Sequence, residues 1–135
     1  MLVFDAHLDL AWNALDWNRD LLQPVKAIRG REQEQGLSDN GRGCNTVSFP
    51  ELRRGRVGIF IGTLLARSLN FKLRPSFQRY TSMEAAYGAA QGQLAYYRAL
   101  EKQGVLRCIT DRTTLEEHVR AWKTPERTGC RWDSL

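Results

Sequence analysis

Residues Val57 to Ala66 form the most restrictive stretch of this chain: an apolar run broken only by Gly58, Gly62 and Thr63. A transmembrane helix needs roughly 20 apolar residues, about twice what is available here. A short continuous run of this kind, rich in branched and aromatic residues, suits a strand buried on both faces of a parallel sheet. Such a sheet demands crossovers, and the rest of the chain offers them. Leu2-Val3-Phe4 opens a first strand near 2–9, which alternates polar and apolar residues through Leu10. A third strand is expected near 105–110, at Val105 to Thr110. Between them lie segments with helical signals, expected near 12–22, 49–54, 82–103 and 114–123. Strand and helix alternate, the pattern of an α/β chain with a parallel sheet.

Local chemistry marks where these helices begin and end. Ser48 precedes Phe49-Pro50-Glu51, which reads as a cap with a proline in the first turn and a Glu three residues on. Gly55 should close that short helix. Thr81 with Glu84 reads as a second capping box, and Thr113 or Thr114 as the cap of the last helix. The long helix should bury Met83, Tyr87, Ala90, Leu94 and Tyr97 and stop at Gly104. Its successor places Leu115, Val119 and Trp122 on one face and ends at Pro125. Gly30 to Asn45 is polar, without apolar periodicity, and reads as a long surface loop.

Charge and cysteine usage narrow the function classes. Twenty Lys and Arg against 15 Asp and Glu give a net charge of +5, yet the first 20 residues carry Asp5, Asp9, Asp16 and Asp20 against Arg19 alone. The basic cluster Arg53, Arg54 and Arg56 has no aromatic residue within it. Single-stranded nucleic-acid binding favours such interleaving, so this cluster reads as a solvated helix end. Met1 leads into an acidic segment without a basic start and apolar run, so no secretory leader is expected. Cys44, Cys108 and Cys130 are odd in number and widely spaced, which suits a reducing cytoplasm. Cys108 reads as a buried small hydrophobe. His118 reads as solvent-exposed within a charged helix.

The chemistry-bearing motif is Asp5-Ala6-His7-Leu8-Asp9. On a strand, Asp5, His7 and Asp9 share one face. Same-face neighbours stand about 7 Å apart at a rise of ~3.3–3.4 Å per residue, close enough for side chains to converge on one ion. Imidazole nitrogen with carboxylate oxygen suits zinc or a similar divalent metal. Asp5, one step further from the strand end, is better placed to orient an imidazole N–H than to bind metal. His-x-Asp alone arises often by chance. Its place at the C-terminal end of a first β-strand is what gives it weight, because that end carries function in parallel-strand barrels.

Val3-Phe4-Asp5-Ala6-His7-Leu8-Asp9-Leu10-Ala11-Trp12 resembles the first strand of the membrane (renal) dipeptidase family of zinc dipeptidases. Ser48-Phe49-Pro50-Glu51-Leu52-Arg53-Arg54-Gly55-Arg56-Val57-Gly58 is similar to that family's short helix and glycine turn before the second strand. The long helix around Tyr87–Leu100 and the Ile109-Thr110-Asp111 stretch follow in the family's order, so the likeness spans Leu2 to about Glu126. Related amidohydrolase barrels usually carry His-x-His, which makes Asp9 the discriminating residue.

The resemblance implies a (β/α)8 barrel with a binuclear zinc centre that hydrolyses dipeptides, with zinc polarising the scissile carbonyl and supplying a hydroxide. His7 and Asp9 carry over as ligands of one zinc. The bridging Glu of the fourth strand, the later His ligands and the catalytic Asp have no counterpart in residues 1–135. The chain therefore reads as the N-terminal three βα units of a metal-dependent hydrolase barrel, with no catalytic residue of its own and inactive alone. The tail Thr128 to Leu135 lacks the apolar strand that should follow. Expected partners are dipeptide substrates and a second copy of the chain, with no nucleic acid and no membrane. Two other readings stay open: an amidohydrolase-type enzyme acting on a lactone or cyclic amide, and a non-enzymatic basic binding module. Salt-sensitive binding would mark the module, and a response to chelator would mark the metalloenzyme.

Overall fold

The computed structural model describes residues 1–37, 41–67 and 80–123. Within them the order is β1 (Val3–Leu8), α1 (Leu10–Asp16), α2 (Val25–Glu34), α3 (Phe49–Arg54), β2 (Val57–Gly62), α4 (Met83–Lys102) and α5 (Arg112–Lys123). The two strands pair in parallel. The fold is mixed α/β, a small parallel sheet with helices packed about it. No helix among the described residues is long and apolar enough to cross a membrane.

Helix ends follow local rules. Asn18 takes a left-handed conformation (φ 52°) after α1, and the Arg19 N–H returns to the Ala14 carbonyl at 3.1 Å. That is the Schellman closure, in which Asn is the common substitute for Gly. It halts α1 at Asp16, six residues short of the expected end at 22. Gly104 (φ 72°) closes α4 in the same way, with the Val105 N–H on the Leu100 carbonyl at 2.9 Å. This stop was legible in the sequence. The caps were legible only to within a residue or two. Ser82, not Thr81, caps α4 by accepting the Ala85 N–H at 3.1 Å. Asp111, not a threonine, caps α5 through the Thr114 N–H at 2.8 Å. Asp and Ser outrank Thr at this position. Ser48 does sit at the N-cap of α3, but its hydroxyl makes no cap bond.

The core lies among α1, the loop after it, α2, α3 and the end of α4. Leu10, Ala14, Leu21, Ile28, Phe49, Leu100 and Val105 are buried together. Leu10 and Leu21 are fully buried, each contributing roughly 1.5–3 kcal/mol of transfer free energy. The Phe49 N–H donates to the Leu21 carbonyl at 2.9 Å and ties α3 to the loop after α1.

Four expectations are corrected here. First, Gly30 to Asn45 is not all loop, since α2 occupies Val25–Glu34. Its buried face pairs Ile28 with Glu32, so a charged residue stands where a second apolar one would have signalled a helix. Second, no strand forms over Val105 to Thr110. Val105 turns back onto α4, and the Glu101 carboxylate accepts the Cys108 N–H at 2.7 Å, as a neighbouring strand would have done. Cys108 is exposed. Third, β2 is half-buried and Ile61 is exposed, because β2 pairs with one strand only among the described residues. Fourth, the buried line of α4 runs through Gln93 and Leu100, while Met83 and Tyr87 lie in solvent. Gln93 replaces an apolar residue there because its amide accepts the Leu65 N–H at 2.7 Å and donates to the Leu65 carbonyl at 2.8 Å. The stop at Pro125, Cys130 and the tail Thr128 to Leu135 lie outside the described residues.

His118 also departs from its expected exposure. Register shifts between Val3 and Phe4, where β2 advances two residues to one on β1 and leaves Gly58 as the extra residue. The His118 Nε2–H donates to the Gly58 carbonyl at 2.8 Å, and the ring is half-buried. Gly58 is required at this contact, since a Cβ there would stand 2.8 Å from the Trp122 ring and would also meet Leu2. A bulged carbonyl outside the sheet ladder needs a donor, and His118 brings α5 onto β2 to supply one.

Candidate functional site

β1 ends where the expected metal ligands begin. Between Asp5 and Leu8 the strand advances three residues while β2 advances two, from Phe60 to Gly62. The extra residue disturbs the strict alternation, and Ala6 and His7 are both exposed. At this irregularity the Asp5 carboxylate accepts the backbone N–H of His7 at 3.0 Å. Asp5 therefore steadies the main chain at His7, and its contact is with the backbone and not with the imidazole.

His7 and Asp9 do converge. The His7 Nε2 lies 3.4 Å from the Asp9 Oδ1, with the imidazole 72% exposed and the carboxylate 29% exposed. Two donors about 2.0–2.1 Å from a tetrahedral zinc stand about 3.3 Å apart. The observed separation thus fits two ligands of one ion. It also fits a direct interaction between imidazole and carboxylate. Among the described residues no group of three or more His, Cys, Asp or Glu could hold a metal ion.

Asp9 stands at the N-cap of α1, yet its side chain caps nothing. Its backbone carbonyl takes the Asn13 N–H at 2.9 Å and the Asn13 amide at 3.0 Å. The carboxylate instead meets the end of β2, where the Thr63 hydroxyl donates to Oδ1. Thr63 is joined to β1 by its own N–H, which donates to the Leu8 carbonyl at 3.1 Å. From α4, the Tyr97 hydroxyl accepts the Ala11 N–H at 3.2 Å and donates to the Thr63 carbonyl at 3.4 Å. Gly62 makes room for that ring, since a Cβ there would stand 2.9 Å from Tyr97 Cζ. Burial pushes the Tyr97 hydroxyl pKa above its ordinary value, and the nearby Asp9 charge adds to this against the opposing Ala11 bond. A neutral tyrosine therefore joins the end of β2 to the start of α1.

Thr63 and Tyr97 escaped the sequence reading as members of this cluster. One signal was present for Thr63. It is the polar residue at the C-terminal end of β2, the same end of the sheet that singles out His7 and Asp9 on β1. Tyr97 carried no comparable signal, because its role depends on which turn of α4 meets the strand ends.

A second polar cluster lies in the segment between α1 and α3. Arg19 and Glu32 are both buried. Arg19 donates from Nε to the Glu32 Oε1 at 2.7 Å, from Nη1 to the Asn13 Oδ1 at 2.7 Å and from Nη2 to the Gly41 carbonyl at 3.0 Å. The Gly43 N–H closes the other side of Glu32. Arg19 and Arg42 lie 4.7 and 5.5 Å from the Trp17 ring, within cation–π range. Trp17, Arg19, Glu32 and Arg42 line a cleft of about 540 Å³ that includes neither His7 nor Asp9.

Comparison with protein-family models, curated proteins and solved structures finds no match for this chain.

Proposed function

We propose that this chain belongs to a zinc-dependent dipeptidase-like hydrolase, with β1 and β2 as the first two strands of a (β/α)8 barrel and His7 and Asp9 as ligands of one of two zinc ions. The observation that carries this reading is the His7 Nε2 to Asp9 Oδ1 separation of 3.4 Å at the C-terminal end of a parallel strand. The D-x-H-x-D sequence and its likeness to the dipeptidase family supply the rest. When bound, zinc polarises a carbonyl and lowers the pKa of water. What these residues contribute is narrower. His7 offers a solvent-facing imidazole, Asp9 a carboxylate held toward it, and Asp5 a fixed backbone at His7. A zinc centre uses three or four protein ligands, so on this reading the remaining donors and the catalytic acid–base group come from outside the described residues. A cytoplasmic location belongs to the same proposal, in keeping with the exposed free thiols of Cys44 and Cys108.

Calorimetric zinc titration of the chain and of its His7→Ala and Asp9→Ala variants tests this. The expected result is weak binding, reversed by chelator and abolished by either substitution, with no dipeptide hydrolysis by residues 1–135. Zinc binding that survives both substitutions unchanged would put the metal elsewhere and overturn the reading.

A further inference from the structure

We infer that Thr63 is a positioning residue for the Asp9 carboxylate, holding Oδ1 toward His7 and thereby setting the affinity of the pair for a divalent metal. This rests on the zinc reading above. An Asp at an N-cap ordinarily turns back to accept an N–H of its own helix. Asp9 has that option and does not take it. The group it meets instead is the Thr63 hydroxyl.

That hydroxyl has two acceptors within reach, the Asp9 Oδ1 and the Leu8 carbonyl, the latter at 3.2 Å. It carries one proton. The Leu8 carbonyl already receives the Thr63 N–H, and an ionised carboxylate is the stronger acceptor. The proton therefore goes to Asp9. Thr63 can aim it because its own backbone is held on two sides, by Leu8 through the N–H and by Tyr97 through the carbonyl. The oxygen it holds is the one that lies 3.4 Å from the His7 Nε2. Without the hydroxyl, Asp9 is free to rotate toward the first turn of α1, and the pair must be reassembled each time a metal binds. Losing an outer partner of a metal ligand typically costs about 10–100-fold in affinity. Asp9 is partly exposed, so the low end of that range is expected.

The chain has two histidines, which makes imidazole NMR a direct readout. His118 is tied to the Gly58 carbonyl and serves as an internal control for folding. In a zinc titration of the 15N-labelled chain, the His7 ring nitrogens should shift while those of His118 stay in place. Thr63→Val should raise the zinc concentration at the His7 midpoint by about tenfold, and Thr63→Ser should keep it within about threefold, since the hydroxyl is retained. Thr63→Ala removes the hydroxyl without added bulk and should match Thr63→Val, which covers the case in which the valine disturbs folding. A His7 midpoint unchanged in Thr63→Ala would overturn the role of Thr63 and leave the zinc reading standing. A wild-type chain whose His7 signals ignore zinc would overturn both.

Discussion

Two acid–base pairs sit on either side of α1, and their solvation is opposite. Arg19 and Glu32 are buried, and the bonds between them are reinforced by contacts to Asn13, Gly41 and Gly43. His7 and Asp9 stand at a strand end with the imidazole largely in water. The first pair is spent on folding, because a charge removed from water must be matched in full. The second is available to a ligand, because water can fill any valence it leaves open. Chemical availability in this molecule tracks solvent exposure, not the number of charges in a cluster.

The largest expected effect tests the buried side. Arg19→Ala or Glu32→Ala leaves an uncompensated buried charge and should cost about 3–5 kcal/mol in urea-unfolding free energy. The double variant Arg19→Met with Glu32→Leu should lose less than either alone, since no orphan charge remains. A single-variant loss below about 1 kcal/mol, the range of exposed pairs, would break the contrast between the regions.

A pH series sharpens the comparison. Burial pushes the Glu32 carboxyl up, but the Arg19 bonds, the Gly43 N–H and the charges of Arg19 and Arg42 more than offset it. The net effect holds its pKa below the ordinary 4.5. A depressed folded pKa means the contribution is complete above 4.5 and is lost as pH falls through the lower folded value. Asp16 works the other way. Burial, only partly opposed by the Trp12 bond and the Arg67 charge, raises its pKa above the ordinary 3.8. Its contribution is present below 3.8 and is lost as pH rises through the folded value. Unfolding midpoints measured between about pH 3 and pH 7 should fall on the acid side in wild type and flatten in Glu32→Gln. An acid slope unchanged by Glu32→Gln would assign the effect to other carboxylates.

The smallest effect belongs to the exposed pair. His7→Ala should move folding stability by no more than about 0.5 kcal/mol, as surface substitutions do, while removing the zinc response. A larger loss would mean that the His7–Asp9 contact is structural, and that the two regions differ less than their burial indicates.

Legibility of the sequence follows the range of the interactions involved. α3 was expected at 49–54 and stands at Phe49–Arg54, and the Gly104 stop of α4 lies where it was expected. Both are set by residues within a turn of one another. The meeting of His7 and Asp9 was readable too, because two residues at a strand end are neighbours in any fold. α2 was missed because its buried face holds Glu32, whose partner Arg19 lies thirteen residues earlier. The expected strand near 105–110 failed for the opposite reason: Val105 to Thr110 has an apolar start, but Glu101 on the preceding helix satisfies its backbone.

By itself, then, the sequence determined the two strands near Val3–Leu8 and Val57–Gly62, the helix Phe49–Arg54, the Gly104 stop of α4 and the presence of a His-x-Asp pair at a strand terminus. These depend on sterics and hydrogen bonds between residues close in the chain. Tertiary structure alone decided that Thr63, fifty-four residues from Asp9, bonds its carboxylate, that Tyr97 joins the end of β2 to α1, and that His118 serves the bulged carbonyl of Gly58. A buried or misaligned polar group must find a partner wherever packing brings one, and no local pattern records which distant residue that is.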